Sequence, residues 1–186
     1  MTRASPSTST APQTSRRRTA RLPALACAAV ALTVACGGGT SASQAYFDEL
    51  ERADAQFGRE GERLQRQLDG GLAAAGSDGE RLAVYRTSIA AFETLVRDFV
   101  AELEALRPPD GAVNAHAEAV AAGRAVLAVF EGLAGSIGDA RSAQEAETLM
   151  SQAFTSDAFA RFDRSCAALQ DAAREQRVDI DLHCGQ

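Results

Sequence analysis

Lysine is absent: all 19 basic residues of the 186-residue chain are arginine. A phosphate-cradling Gly-x-x-x-x-Gly-Lys loop is therefore excluded, and no serine sits in a Gly-x-Ser-x-Gly elbow. Histidine is nearly absent too, with His116 and His183 as the two examples, and neither completes a Glu-x-x-His or a Cys-x-x-Cys-His motif. The ligand pattern of paired-metal helical bundles and the attachment site of covalent haem are both missing. The acidic pairs Glu49/Glu51, Glu60/Glu62, Glu102/Glu104 and Glu145/Glu147 stand two apart. On a helix such pairs diverge by about 200°, so they make solvated faces and not one carboxylate site. No catalytic constellation remains, and the chain is expected to be no enzyme, with no cofactor and no metal.

What the chain does have is a basic start (Arg3, Arg16, Arg17, Arg18, Arg21) followed by an Ala/Leu/Val-rich run over residues 22–36. That run is too short to span a bilayer and ends on small residues, the three-part layout of an export signal. Its ending, Leu32-Thr33-Val34-Ala35-Cys36-Gly37, resembles the lipobox of bacterial lipoproteins, in which small residues precede a cysteine that is lipidated and becomes the new N-terminus. Thr33 stands where that family usually has leucine or another aliphatic residue. The resemblance implies removal of residues 1–35 as a signal peptide, a lipid on Cys36 and anchoring outside the cytoplasm. Ordinary cleavage after Ala35, with Thr33 and Ala35 as the small pair, would instead release a soluble protein.

Five arginines and none of the 25 acidic residues lie in residues 1–35, so the remainder holds 14 basic against 25 acidic side chains, a formal −11. That balance repels nucleic acid and anionic headgroups. Of the four cysteines, Cys27 leaves with the signal and Cys36 takes the lipid, which leaves Cys166 and Cys184. In an oxidising compartment two remaining cysteines are most simply one disulfide.

Residues 36–43 read as the lipidated cysteine and a Gly/Ser-rich tether, and residues 44–186 as one domain. A first helix is expected over 43–68 (stripe Tyr46, Leu50, Ala53, Phe57, Leu64, Leu68), then a loop over 69–76. The capping box Ser77-Asp78-Gly79-Glu80 opens a second helix with the cleanest stripe of the chain, Leu82, Tyr85, Ile89, Phe92, Val96, Phe99, Leu103 and Leu106. Pro108-Pro109 stops it. A third helix over 112–137, rich in alanine and glycine, carries Val113, Val120, Leu127, Phe130 and Ile137, with Gly138 as its cap. Ser142-Ala143-Gln144-Glu145 opens a fourth helix reaching Arg177, which Thr155-Ser156-Asp157 can break. Val178, Ile180, Leu182 and Cys184 then alternate with Asp179, Asp181 and His183, an extended tail with one buried face that can double back and bring Cys184 to Cys166.

These elements predict an all-α fold, an antiparallel up-and-down four-helix bundle with a disulfide-tied tail. The stretch from Phe162 to Leu169, with Asp181-Leu182-His183-Cys184-Gly185, resembles the ending of small helical-bundle lipoproteins of uncharacterised function. That resemblance covers the last quarter of the chain and implies no activity. A non-covalent haem would draw on Met150 with His116 or His183. His183 falls on the polar side of the tail, and His116, alone at a stripe edge, reads as a surface or capping residue. The eight phenylalanines, at helical spacing, read as core. The expected role is a non-enzymatic structural or protein-interaction module of the cell envelope, its partners being the membrane, through the lipid at Cys36, and an envelope protein. The alternative is a carrier of haem or a small apolar ligand. An exposed apolar groove favours the module, and an enclosed cavity with converging polar groups favours the carrier.

Overall fold

A computed structural model describes residues 38–184. They form five α-helices: α1 (Gly38–Ala74), α2 (Asp78–Ala105), α3 (Val113–Asp139), α4 (Ala143–Phe154) and α5 (Asp157–Glu175), with a single 3₁₀ turn at Asp110–Ala112. Among the described residues there is no strand. Cys36 and the segment before it lie outside the described residues.

Both capping boxes form. Ser77 Oγ and Ser142 Oγ each accept the amide three residues on, from Glu80 and Glu145, at 3.2 Å. The two glutamates reach one residue further back than the motif requires, to the amides of Gly76 (2.7 Å) and Arg141 (2.8 Å). α2 ends at Ala105 because Leu106 is already extended (φ −68°, ψ 148°), two residues ahead of Pro108. The expected fourth helix is two. Thr155 Oγ1 donates to the Gln152 carbonyl (2.7 Å), and Ser156 Oγ accepts the Ala158 amide (3.3 Å), so side chains take over the backbone partners at the break.

Several boundaries differ from the sequence expectation. α1 runs through Gly70 and Gly71 to Ala74, where a loop was expected from Asp69. Packing outweighs glycine's low propensity here: Leu72 packs against the core, and a Cβ on Gly71 would stand 2.9 Å from Val84 Cγ1, so α1 and α2 meet closely at that point. The start of α1 also reaches back to Gly38, into residues expected to be tether. Ser43 is buried and donates to Gln176 Oε1 at the end of α5 (2.5 Å), which fixes this turn to the fold and lets the helix extend backwards from it. Gly138 lies inside α3 and does not cap it.

Arg86 of α2 supplies that cap instead. Its guanidinium donates to the carbonyls of Ile137 (3.2 Å), Gly138 (3.0 Å) and Ala140 (2.9 Å), the end of α3 that lacks intrahelical partners. Eight residues earlier on α2, the Asp78 carboxylate accepts the first amide of α4, Ala143, at 3.2 Å. One helix thus holds both sides of the α3–α4 turn. Replacing Arg86 with alanine should cost about 2 kcal/mol in chemical denaturation, because it strands carbonyls that were bonded to a charge. Lysine, a point donor without the guanidinium fork, should recover less than half.

The core has two connected parts. Tyr46, Phe47, Leu50, Phe99, Leu103 and Leu169 centre one; Leu68, Tyr85, Ile89, Phe130, Leu133 and Ile137 centre the other. Phe57 and Phe162 pack against both and join them. Of the expected α3 stripe, Phe130 and Ile137 are buried and Val120 and Leu127 partly so. Val113 is 45 % exposed, whereas Ala119, Ala122 and Gly123 are buried. The reason is close approach: a Cβ on Gly123 would lie 3.0 Å from Val100 Cγ2 of α2. These small residues share the packed side with Val126, Phe130, Leu133 and Ile137.

Candidate functional site

A groove of about 570 Å³, open to solvent, lies between α1 and α2. Residues 53, 56, 57 and 60 of α1 face residues 95, 98, 99 and 102 of α2, each set spaced by threes and fours. Phe57 and Phe99 pack in its floor with ring centroids 4.5 Å apart and planes tilted by 34°, and Leu95 extends that floor. Gln56, Arg59, Glu60, Asp98 and Glu102 form the sides. A hydrogen bond from Arg63 holds the Glu60 carboxyl below its ordinary pKa, so it stays ionised. Gly58 and Gly61 lie on the same stretch of α1, where a Cβ would meet nothing within 4 Å at the first and only Leu95 at 4.0 Å at the second. Sequence reading missed this groove. Its one signal was the pairing of these glycines with Ala53 and Ala101 on residues that otherwise carry long side chains.

The second feature is the tail. α5 ends in a tight turn in which Val178 N donates to the Ala173 carbonyl (2.9 Å) and Arg177 N to the Arg174 carbonyl (3.0 Å). Arg177 takes the left-handed conformation (φ 60°) that glycine usually occupies there. The chain then turns back, burying Val178, Ile180 and Leu182, and Cys184 is bonded to Cys166 with Cα atoms 5.5 Å apart. Glu51 accepts the Asp181 amide and Asp54 the His183 amide, both at 3.0 Å. Beneath the tail lies a cavity of about 20 Å³ lined by Leu50, Phe99, Phe162, Leu169 and Leu182, with Asp54 and Ser165 at its edge. That volume is room for one water.

The two histidines serve different places. His116, expected at the surface, is buried, and its Nδ1 lies 3.0 Å from the Tyr46 hydroxyl. Burial lowers the His116 pKa and pushes that of Tyr46 well up, so both groups stay neutral and share this hydrogen bond. The correction has a plain cause: Tyr46 is 70 residues away in sequence and gives the imidazole a partner that no local pattern reveals. His183 is exposed, with Nδ1 2.8 Å from Asp54 Oδ2, and that bond raises its pKa. Met150 packs against the half of the core centred on Leu68 and Phe130, whereas Tyr46, the partner of His116, belongs to the other half. Among the described residues no three of His, Cys, Asp and Glu gather as a metal site would require.

The histidines pull stability in opposite directions. A pKa lowered by folding means that the unfolded state binds more protons, so His116 favours folding fully above about pH 6.5 and progressively less as pH falls below it. A raised pKa means the reverse: the His183 contribution is complete below about pH 6.5 and disappears as pH rises through its raised value. An NMR titration of the imidazoles should therefore resolve one curve midpoint on each side of the ordinary value. His116→Gln should remove the lower curve and lessen the fall in thermal midpoint between pH 7 and pH 5.

One segment, Asp110–Asp139, is long and apolar enough to cross a membrane by length and composition. The same segment packs against α2, α4 and α5. No family model matches the chain, and no curated protein or solved structure matches it either.

Proposed function

We propose that this chain is a lipid-anchored, extracytoplasmic module of the bacterial cell envelope that works by binding a protein and not by catalysis, with the α1–α2 groove as its contact surface. The groove carries this reading. An apolar floor between charged sides, about 570 Å³ and open to solvent, suits a partner side chain or helix edge. The carrier alternative needs an enclosed site of roughly 300–1,000 Å³, whereas the cavity under the tail holds about 20 Å³. With Asp98, Glu102 and Glu60 on the groove's sides and a formal −11 over residues 36–186, the fitting partner is basic or neutral.

Anchoring rests on the sequence, where Val34, Ala35, Cys36 and Gly37 resemble a lipobox. The Cys166–Cys184 disulfide agrees with an oxidising compartment. We also propose the finer architecture, in which α1, α2, α3 and the α4–α5 pair run antiparallel, up and down, as a four-helix bundle. Short turns and close packing of α1 on α2, α2 on α3 and α3 on α5 support it.

A photo-crosslinking residue placed at Gln56 in intact cells tests the function. One discrete adduct is expected, lost when Asp98→Arg and Glu102→Arg are introduced together. No adduct, or the same adducts from Gln144 on α4, would count against the groove.

A further inference from the structure

The close helix pairs are α1 with α2, α2 with α3, α3 with α5, and α4 with α2 and α3; α1 and α5 are not among them. The tail fills that seam. Val178, Ile180 and Leu182 are 4 %, 7 % and 5 % exposed and share a core cluster with Phe47 and Leu50 of α1 and Leu169 of α5. The tail's backbone beyond its first residue is held by side chains. Glu51 and Asp54, one helical turn apart on α1, accept the amides of Asp181 and His183, and Gln170 Nε2 of α5 donates to the Ile180 carbonyl (3.3 Å). Main-chain groups bonded on two rails, with alternate side chains in apolar pockets, are how an extended peptide ligand is bound. Packing under Leu182 is incomplete, since the 20 Å³ cavity lies there. The turn leading into the tail contains a non-glycine residue at φ 60°, a conformation that costs energy.

We propose that the α1–α5 seam is a binding groove for an extended segment with aliphatic side chains at alternate positions, that the tail is its resident occupant, and that reduction of Cys166–Cys184 by a dithiol lets such a segment of a partner protein replace it. The occupant is read from the tail itself, which shows what fits. Cys184 is the more accessible sulfur, half-buried where Cys166 is buried. One thiolate of the dithiol attacks Cys184 Sγ, the S–S bond breaks, and Cys166 leaves as a thiolate and takes a proton. The second thiolate then attacks the mixed disulfide and releases Cys184. Two electrons and two protons pass to the protein, and the dithiol becomes a cyclic disulfide. While the covalent tie holds, the tail stays seated; after reduction it still competes at an effective concentration on the order of millimolar, which a partner segment must overcome. This site shares Phe99 with the α1–α2 groove, but its occupant is read from the tail and does not depend on that groove.

The test uses the full chain and a fluorescent peptide of residues 178–186 carrying Cys184→Ser. Oxidised wild type should not bind it. Wild type reduced with dithiothreitol and alkylated should bind weakly, and reduced Ile180→Asp, whose own tail no longer fits, at least tenfold more tightly. The same peptide carrying Ile180→Asp should fail throughout. Equal binding to oxidised and reduced protein would overturn the proposal, as would a reduced wild type that dimerises without peptide, which would assign the groove to exchange of tails between copies. Hydrogen exchange on wild type guards against a variant that does not fold. On reduction the amides of residues 180–184 should exchange at least tenfold faster while α1 and α5 keep their protection. Unchanged tail protection, or loss of helix protection along with it, would each refute the groove.

Discussion

Phe47→Ala should be the most damaging single truncation, costing about 4 kcal/mol. The Phe47 side chain is fully buried (0 % exposed), its ring lies edge-on to Tyr46 at 4.9 Å, and it sits in the cluster that α1, α5 and the tail share. Removing it takes away apolar burial and leaves a cavity where backbone from three directions prevents collapse. Against a domain stability of about 5–15 kcal/mol such a loss shifts the denaturation midpoint far. Val113→Ala, at a position 45 % exposed, should stay within about 0.5 kcal/mol. Similar losses from both variants would mean that the packing around the first turns of α1 is not as described.

Loss of the disulfide should cost about 3 kcal/mol in the Cys166→Ser, Cys184→Ser double variant. The bond closes a loop of 18 residues, and chain entropy in the unfolded state sets that magnitude. Chemical denaturation of oxidised wild type against the double variant measures it. The helices should persist, since Cys166 and Cys184 belong to one half of the core and the other half is filled without them. A variant as stable as the oxidised protein would show that the tail docks equally well untied.

Where a segment's partners are close in sequence, its structure was legible. Six residues of the α2 stripe, Leu82, Tyr85, Ile89, Val96, Phe99 and Leu103, are buried as their spacing implied, and Ser77, Ser142 and Ser156 cap helices through contacts two or three residues long. The alternating tail buries Val178, Ile180 and Leu182. What escaped depends on distant neighbours. Phe47 lies one position off the expected stripe and is buried because the tail gives α1 a second apolar face, a fact set by residues about 130 positions away, as the Glu51–Asp181 contact illustrates. His116 looked like a surface residue until Tyr46 supplied its partner. Gly70 and Gly71 looked like a loop until Val84 supplied the reason for a small residue. In α3 the buried Ala119, Ala122 and Gly123 were passed over, because their burial beside Phe130 and Ile137 depends on close approach of a distant helix, as Val100 shows at Gly123. The α1–α2 groove was least legible of all, being a space left between side chains and not a property of any one of them.

Intact-mass spectrometry of the protein extracted from its own membranes, without reductant, reports processing, lipid and disulfide together. The expected mass is that of residues 36–186, less two hydrogens for Cys166–Cys184, plus an acyl lipid on Cys36. A chain beginning at Cys36 without lipid, a chain that keeps residues 1–35, or one in which Cys166 and Cys184 can both be alkylated would contradict the reading of an envelope-anchored, disulfide-tied module.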